Sequence, residues 1–328
     1  MPNPILSVAI PTFNRAAKLE RLLTILQEEI LRCHLQDRVI VVVSDNCSTD
    51  QTESVVASFD GSPMNIKYYK QPQNVGFDRN IRFLYEHAGA SYTWFTADDD
   101  FPFPGALSKI VGAVERHDPD VMLFSFVQPP GSTVKQFDYP EAVRVITDPV
   151  SAINHVVRFP KLSIFVIRVI RLDEQHWTVL GKFLDAGWFF ISLAFSALQY
   201  SKRLKLAVIS EALASCDEDY NIIGFTPDTL LRFETVMEHP YVLSNQAVLD
   251  FPWRDHLYYG AIQFAFAVKS GGLIAQNPHE YDQFIKNMKS RSTVLLKNRR
   301  SLFQFLALKF GIAGQWPKIR PLVRWMGG

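Results

Sequence analysis

The chain is poor in cysteine: Cys33, Cys47 and Cys216 are all it has among 328 residues. Their spacing matches neither a zinc site nor a disulfide framework, which points to a reducing compartment. Long hydrophobic runs are lacking too. The best uncharged stretches, 186–201 and 257–268, are too short and too mixed to span a bilayer. The start, "MPNPILSVAIPTFNR", has no basic segment ahead of its short apolar run, so no signal peptide is expected. A cytoplasmic location follows as the expectation. There is no G-x-x-x-x-G-K-[ST] and no G-x-G-x-x-G, which removes the P-loop and the dinucleotide fingerprint. G-x-S-x-G and H-E-x-x-H are absent as well, and with them two hydrolase classes. No repeat of solenoid length occurs.

The longest stretch without acidic residues lies at the C-terminal end. After Asp282 there is no Asp or Glu, while residues 283–328 hold ten Lys or Arg. The chain has 34 basic and 33 acidic residues in all, so the part before the tail carries −9. A basic tail on an acidic body suggests an anionic partner for the tail. Its sequence, "SLFQFLALKFGIAGQWPKIRPLVRWMGG", mixes Phe, Leu and Trp with Lys and Arg. That composition suits an interfacial helix on anionic lipid. It suits equally a terminal helix packed on the domain with a solvated basic face. Nucleic acid is not expected, because no recognised binding module accompanies the charge.

What is present is an alternation. "ILSVAIP", "RVIVVVSD", "NIKYYKQ", "SYTWFTA" and "DVMLFSFV" read as strands. Between them "AAKLERLLTILQEEI", "STDQTESVVASF", "DRNIRFLYEHA" and "GALSKIVGAVERH" read as helices. Asn14 is the expected N-cap of the first helix, and Asp50 with Glu53 has capping-box spacing. Such alternation predicts a doubly wound, mostly parallel sheet, in which ligands bind beyond the carboxyl ends of the strands. The second half is less regular. "TVKQFDYPEAVRVI" reads as a hairpin or an ordered loop, "KLSIFVIRVI" and "RLKLAVIS" as strands, and "DAGWFFISLAFSAL" as a buried helix. From about 227 onward the pattern is helical. This divides the chain into a domain over 1–225 and a helical region over 226–328 that ends in the basic tail. The domain itself splits into halves at 1–126 and 127–225.

Polar clusters fall at the strand ends. "TADDDFPFPGAL" puts Asp98, Asp99 and Asp100 in a row, and like charges there call for a cation. Mg²⁺ or Mn²⁺ bound to one or two carboxylates and a diphosphate would supply it; a solvated turn capping the next helix is the plain alternative. In "IPTFNR", Phe13 at a cleft mouth could stack on a nucleobase and Arg15 could approach phosphate. Otherwise Phe13 is core and Arg15 is solvated. Asp45, in "VVVSDNCSTD", could accept from a base N–H or a ribose hydroxyl, or simply build the turn. In "NVGFDRN", Gly76 permits a left-handed turn, and Asp78 or Arg79 could reach a donor; a loop with a helix cap is the alternative.

Together "SVAIPTFNR", "VVVSDNCSTDQT", "NVGFDRN" and "TWFTADDD" resemble, in order and spacing, the family 2 glycosyltransferases of GT-A fold. The resemblance spans about residues 5–215. The "N-x-G-x-D-x-N" run and "ADDD" look most like the bacterial branch that includes abequosyltransferases of O-antigen assembly. The resemblance implies a Rossmann-like GT-A domain with a helical C-terminal extension. It also implies a nucleotide-diphosphate sugar donor, a divalent cation (Mn²⁺ or Mg²⁺), and transfer to a glycan or lipid-linked glycan, with inversion. A lipid-linked acceptor would place the protein peripherally on the inner face of the cytoplasmic membrane.

By position, Phe13 matches the family's base-packing aromatic, Pro11 and Thr12 the backbone beside it, and Asp45 the base-recognising carboxylate. Arg79 falls in the segment near the diphosphate. Asp98 and Asp99 fall on the donor, and Asp99 and Asp100 on the metal. Thr96 stands where many members have Asp. The family's general base comes from a Glu-Asp pair opening a helix; Asp185 matches the Asp, while Leu184 replaces the Glu. A helix N-cap is the alternative for Asp185, and Asp173, Glu174 and Asp217 are reserves. Two other functions remain open. A nucleotidyltransferase of related fold would want a glycine-rich basic loop after the first strand, which "PTFNRAAKLE" lacks. A catalytically silent nucleotide-sugar or lipid-binding scaffold would bind without turnover.

Overall fold

The computed structural model describes residues 4–128, 131–216 and 227–245. The alternation appears as β1 (Leu6–Thr12), α1 (Ala16–Arg32), β2 (Val39–Asp45), α2 (Thr52–Ala57), β3 (Ile66–Lys70), α3 (Phe77–Glu86) and β4 (Tyr92–Phe95). There follow β5 (Asp100–Pro102), α4 (Ala106–His117), β6 (Val121–Val127), β7 (Val143–Ile146), α5 (Pro149–Arg158), β8 (Phe165–Arg168), α6 (Glu174–Leu180), α7 (Phe189–Gln199) and β9 (Leu206–Cys216). Two short helices, α8 (Pro227–Val236) and α9 (Pro240–Ser244), complete the described elements.

One sheet runs β3–β2–β1–β4–β8–β6–β9–β5, with β7 along β9. The first four of these strands are mutually parallel. β8 enters antiparallel between β4 and β6, and β9 lies parallel to β6. β2 is buried at all seven positions, as a parallel strand covered on both faces must be, and its β-branched run suits that place. α7 is apolar all round and buried from Phe189 to Leu198, so it serves as core rather than surface. Trp94, fully buried on β4, donates its ring N–H to the Ser163 carbonyl at 2.9 Å. This bond ties the strand before the aspartates to the second half of the sheet.

Three local expectations are corrected. Asn14 does not cap α1: it takes a left-handed φ of 53° and accepts from the Thr49 N–H at 2.8 Å. Asp50 caps α1 instead, accepting from the Ala16 N–H at 3.0 Å. The capping box over Asp50 and Glu53 is not formed: Gln51 holds the N-cap position of α2, and Glu53 pairs with Lys70 at 2.8 Å. The stretch 133–146 takes the loop form of its two readings and ends in β7, which pairs antiparallel with β9 rather than folding back as a hairpin. The buried helix begins at Phe189, after a loop over 185–188.

The chain divides into two units, Met1–Asn221 with Val236–Val248, and Ile222–Thr235 with Leu249–Gly328. The sheet and α9 belong to the first, and most of α8 to the second. The basic tail over 283–328 and the reserve carboxylate Asp217 lie outside the described residues. Among the described residues no helix is long and apolar enough to cross a membrane.

Candidate active site

Strand order reverses at β1: β2 lies on one side and β4 on the other. The crevice beyond the carboxyl ends of β1 and β4 is therefore the topological switch point, where open α/β sheets bind ligands. Pro11, Thr12, Phe13 and Arg15 come from the end of β1, and Asp98 and Asp99 follow β4. Thr12 stands opposite Asp45 in the β1–β2 register.

The aspartate triple is split between two sets of partners. Asp98, only 3% exposed, accepts from the Thr12 hydroxyl and from Arg15 Nη1, each at 2.8 Å. The same Arg15 nitrogen reaches Asp99 Oδ2 at 2.8 Å, and Lys18 Nζ lies 3.8 Å from that oxygen. Asp100 takes other partners: Lys161 Nζ at 3.0 Å and the Ser163 hydroxyl. Burial pushes the Asp98 carboxyl up to about 6 against the pull of Arg15, and Asp99 pushes it the same way. Burial raises Asp100 too, with Lys161 opposing.

Two carboxylate oxygens from different residues thus converge on one cationic atom, and a quarter of the Asp99 side chain stays accessible. An all-oxygen pair of this kind fits a hard divalent ion completed by phosphate oxygens and water. Among the described residues no cluster of three or more His, Cys, Asp or Glu could hold an ion by itself. Asp100, expected beside Asp99 at the metal, has both oxygens engaged by Lys161 and Ser163 and is 1% exposed. Its placement is that of an anchor between the aspartate motif and the loop before β8.

Phe13 is 41% exposed, so the alternative of a core residue does not hold. Arg15 is not merely solvated, since Asp98 and Asp99 bind it. Asp45 is fully buried, with Oδ1 accepting from the Ser48 N–H at 2.8 Å and Oδ2 from the Tyr68 hydroxyl at 2.7 Å. The Ser48 bond is the turn chemistry of its alternative. Asn46 joins this turn to the next loop: its amide donates to Asn74 at 2.9 Å and its carbonyl oxygen accepts from the Val75 N–H at 2.8 Å. Gly76 then takes φ 83° to open α3, as expected of a glycine there.

Asp185 projects from the loop before α7 and is 62% exposed. Its backbone sits at φ 72°. For a residue with a Cβ this conformation costs about 1 kcal/mol or more, and such strain gathers at functional sites. Both Arg79 guanidinium ends grip its carboxylate, Nη2 to Oδ2 at 2.9 Å. Asp185 is not the N-cap of α7; Trp188 holds that position and makes no side-chain cap. Asp78 does not face a donor. It is buried, and its carboxylate accepts from the Gly187 and Phe189 N–H groups. Asp173 is occupied in capping α6 through the His176 N–H at 2.9 Å. Lys161, Ser163 and the inward role of Asp78 carried no motif in the sequence. Only contacts across 61 to 111 positions reveal them.

A sheet of this order, with carboxylates at its switch point, defines an α/β protein of the GT-A class. Residues 7–171 match the model for "Glycosyl transferase family 2", and the chain belongs to that family. It is 30% identical over 135 residues to the GalNAc(5)-diNAcBac-PP-undecaprenol beta-1,3-glucosyltransferase of Campylobacter jejuni, covering 41% of this chain and 42% of that protein. It is 33% identical over 98 residues to the abequosyltransferase RfbV of Salmonella typhimurium, covering 29% of this chain and 28% of that one. The chain spans less than half the length of these curated relatives. In fold it is similar to the S. aureus TarS fragment 1–349 solved with UDP-GlcNAc: the TM-score is 0.56 at 17% identity, over 98% of this chain and 92% of that one.

Proposed function

We propose that the protein is a metal-dependent glycosyltransferase. It moves one sugar from a nucleoside-diphosphate sugar to a hydroxyl of a glycan or lipid-linked glycan, with inversion, in bacterial surface polysaccharide synthesis. The observation that carries this reading is the convergence of Asp98 and Asp99 on Arg15 at the switch point between β1 and β4. Family membership and relatives named as sugar transferases to lipid-linked or polymer acceptors support it.

In this reading Phe13 stacks on the base, with the Pro11–Thr12 backbone beside it and Asp45 below. Asp98 meets the ribose and Arg15 approaches the diphosphate, while Arg79, expected near the diphosphate, serves here by holding Asp185. Asp99 would hold the divalent cation, which offsets charge on the leaving diphosphate. Asp100 serves as the anchor described above rather than as a second ligand. Asp185 takes the proton from the acceptor hydroxyl as its oxygen attacks the anomeric carbon. The carbon–oxygen bond to the diphosphate breaks, and the electron pair leaves with the nucleoside diphosphate. The expected boundary near 225 falls close to the end of the first run of the sheet's unit, to which Val236–Val248 also belongs. The composition of 283–328 supports docking on an anionic membrane face, which vesicle sedimentation of the full chain would read.

The test is a binding and hydrolysis screen with UDP-, GDP-, CDP- and dTDP-sugars, with and without Mn²⁺. A variant with Asp98, Asp99 and Asp100 all changed to Asn is the control. Metal-dependent affinity for one nucleotide, lost in the variant, is the expected result. Binding of none of them would end the transferase reading.

A further inference from the structure

Asp78 and Arg79 are successive residues at the start of α3, and both hold the segment that opens α7. The Asp78 carboxylate accepts from the Gly187 N–H at 2.7 Å and from the Phe189 N–H at 3.1 Å. It is 3% exposed, so these bonds are screened from water. Arg79, itself half exposed, grips the exposed Asp185 carboxylate. Within this short segment Asp185 and Gly187 both have left-handed backbones, at φ 72° and 82°. α7 has no side-chain cap of its own, and the first N–H groups of a helix need an acceptor. Here α3 supplies it, from 111 positions away in the chain.

We propose that Asp78 is a positioning residue for Asp185: it pins the Gly187–Phe189 backbone, so that the strained residue two positions earlier presents its carboxylate in one direction, which Arg79 then fixes. The proposal rests on the reading of Asp185 as the base. Asp78 binds no substrate and acts only through this segment. Its helix follows β3 in the half that would bind the donor, while the segment it holds belongs to the acceptor half. The two halves are therefore registered to each other at the point where a base must meet an anomeric carbon. A carboxylate used only to cap a helix would affect stability alone. A positioning carboxylate sets turnover at saturating donor, because a misplaced base costs rate rather than binding.

The experiment compares the full chain with Asp78→Ala, Asp78→Asn and Asp185→Asn. It measures hydrolysis of the same nucleotide-sugar panel in Mn²⁺, with water as the acceptor, and hydrogen exchange at the Gly187 and Phe189 amides. Asn retains a side-chain oxygen that accepts one of the two N–H groups. Asp78→Ala is expected to lower kcat about 10- to 100-fold, with donor KM within about twofold. Exchange at the two amides should quicken, and Asp78→Asn should restore most of kcat. Parental kcat in Asp78→Ala, or unchanged exchange at both amides, overturns the proposal. So does a rise in KM shared equally by Ala and Asn, since that is general loosening. Asp185→Asn separates the two levels. Full turnover there overturns the base and the clamp with it. An inactive Asp185→Asn beside a fully active Asp78→Ala overturns the clamp alone.

Discussion

Asp100 and Lys161 stand 61 positions apart in the chain and 3.0 Å apart in the fold. Their pairing divides the aspartate triple into a part that faces the switch-point crevice and a part that fastens the motif to the second half of the sheet. Asp100→Asn should therefore cost stability. Lys161 and Ser163 would lose a charged acceptor, a loss of about 1–3 kcal/mol. Thermal melts should show a lower melting temperature, while titrations keep the Mn²⁺ dependence of nucleotide binding. A metal dependence lost in this variant at unchanged stability would make Asp100 a ligand.

Asp99→Asn should do the reverse. Asp99 is a quarter exposed, and Arg15 and Lys18 pair with it at the crevice, so its loss should shift the melting temperature little. Nucleotide affinity measured with Mn²⁺ should fall to the value measured without it.

Asp185→Asn should lower transfer by about 100- to 10,000-fold, the usual range for a lost general base. Nucleotide affinity should stay within a few fold. Asp173→Asn is the comparison: its carboxylate caps α6, so it should cost stability and leave turnover near the parent.

Phe13→Ala should weaken nucleotide binding without unfolding the protein, because the ring is exposed. A lost base stack is worth about 1–3 kcal/mol, or roughly 5- to 160-fold in Kd. Calorimetry with the nucleotide that the screen selects would read it.

Asp78 also has a signature in stability. Burial holds its carboxyl up at about 6, above its ordinary value of 3.8. The folded chain then binds this proton more tightly than the unfolded chain. The resulting stabilisation is fully present below about pH 4 and is lost as pH rises through about 6. Against the parent, Asp78→Asn should gain relative stability between pH 4 and 7, because the neutral amide has no charge to bury. Melting temperatures of both proteins across that range would check the sign.

Much of the first half was legible in the sequence. The apolar runs of β1, β2 and β4 and the leucine spacing of α1 are local patterns, and burial requires them wherever these elements pack. The polar clusters were legible as strand ends for the same reason. The strand order was not. β8 reads as well for an edge as for the slot between β4 and β6 that it fills, because a short buried strand does not name its neighbours. The caps misled in a related way. Asn14 and Asp50 each have a good side chain for capping, and the fold uses Asp50 across the gap.

The sequence by itself determined the alternation of strands and helices, the family, and which residue types stand at the strand ends. These depend on periodicity and on short motifs, which are properties of neighbouring residues. Only the tertiary structure decided that Arg15 meets Asp98 and Asp99, that Lys161 meets Asp100, and that Asp78 turns inward to hold the start of α7. A buried carboxylate takes whichever donor the packing brings within about 3 Å, since leaving it unpaired costs more than almost any local preference can supply.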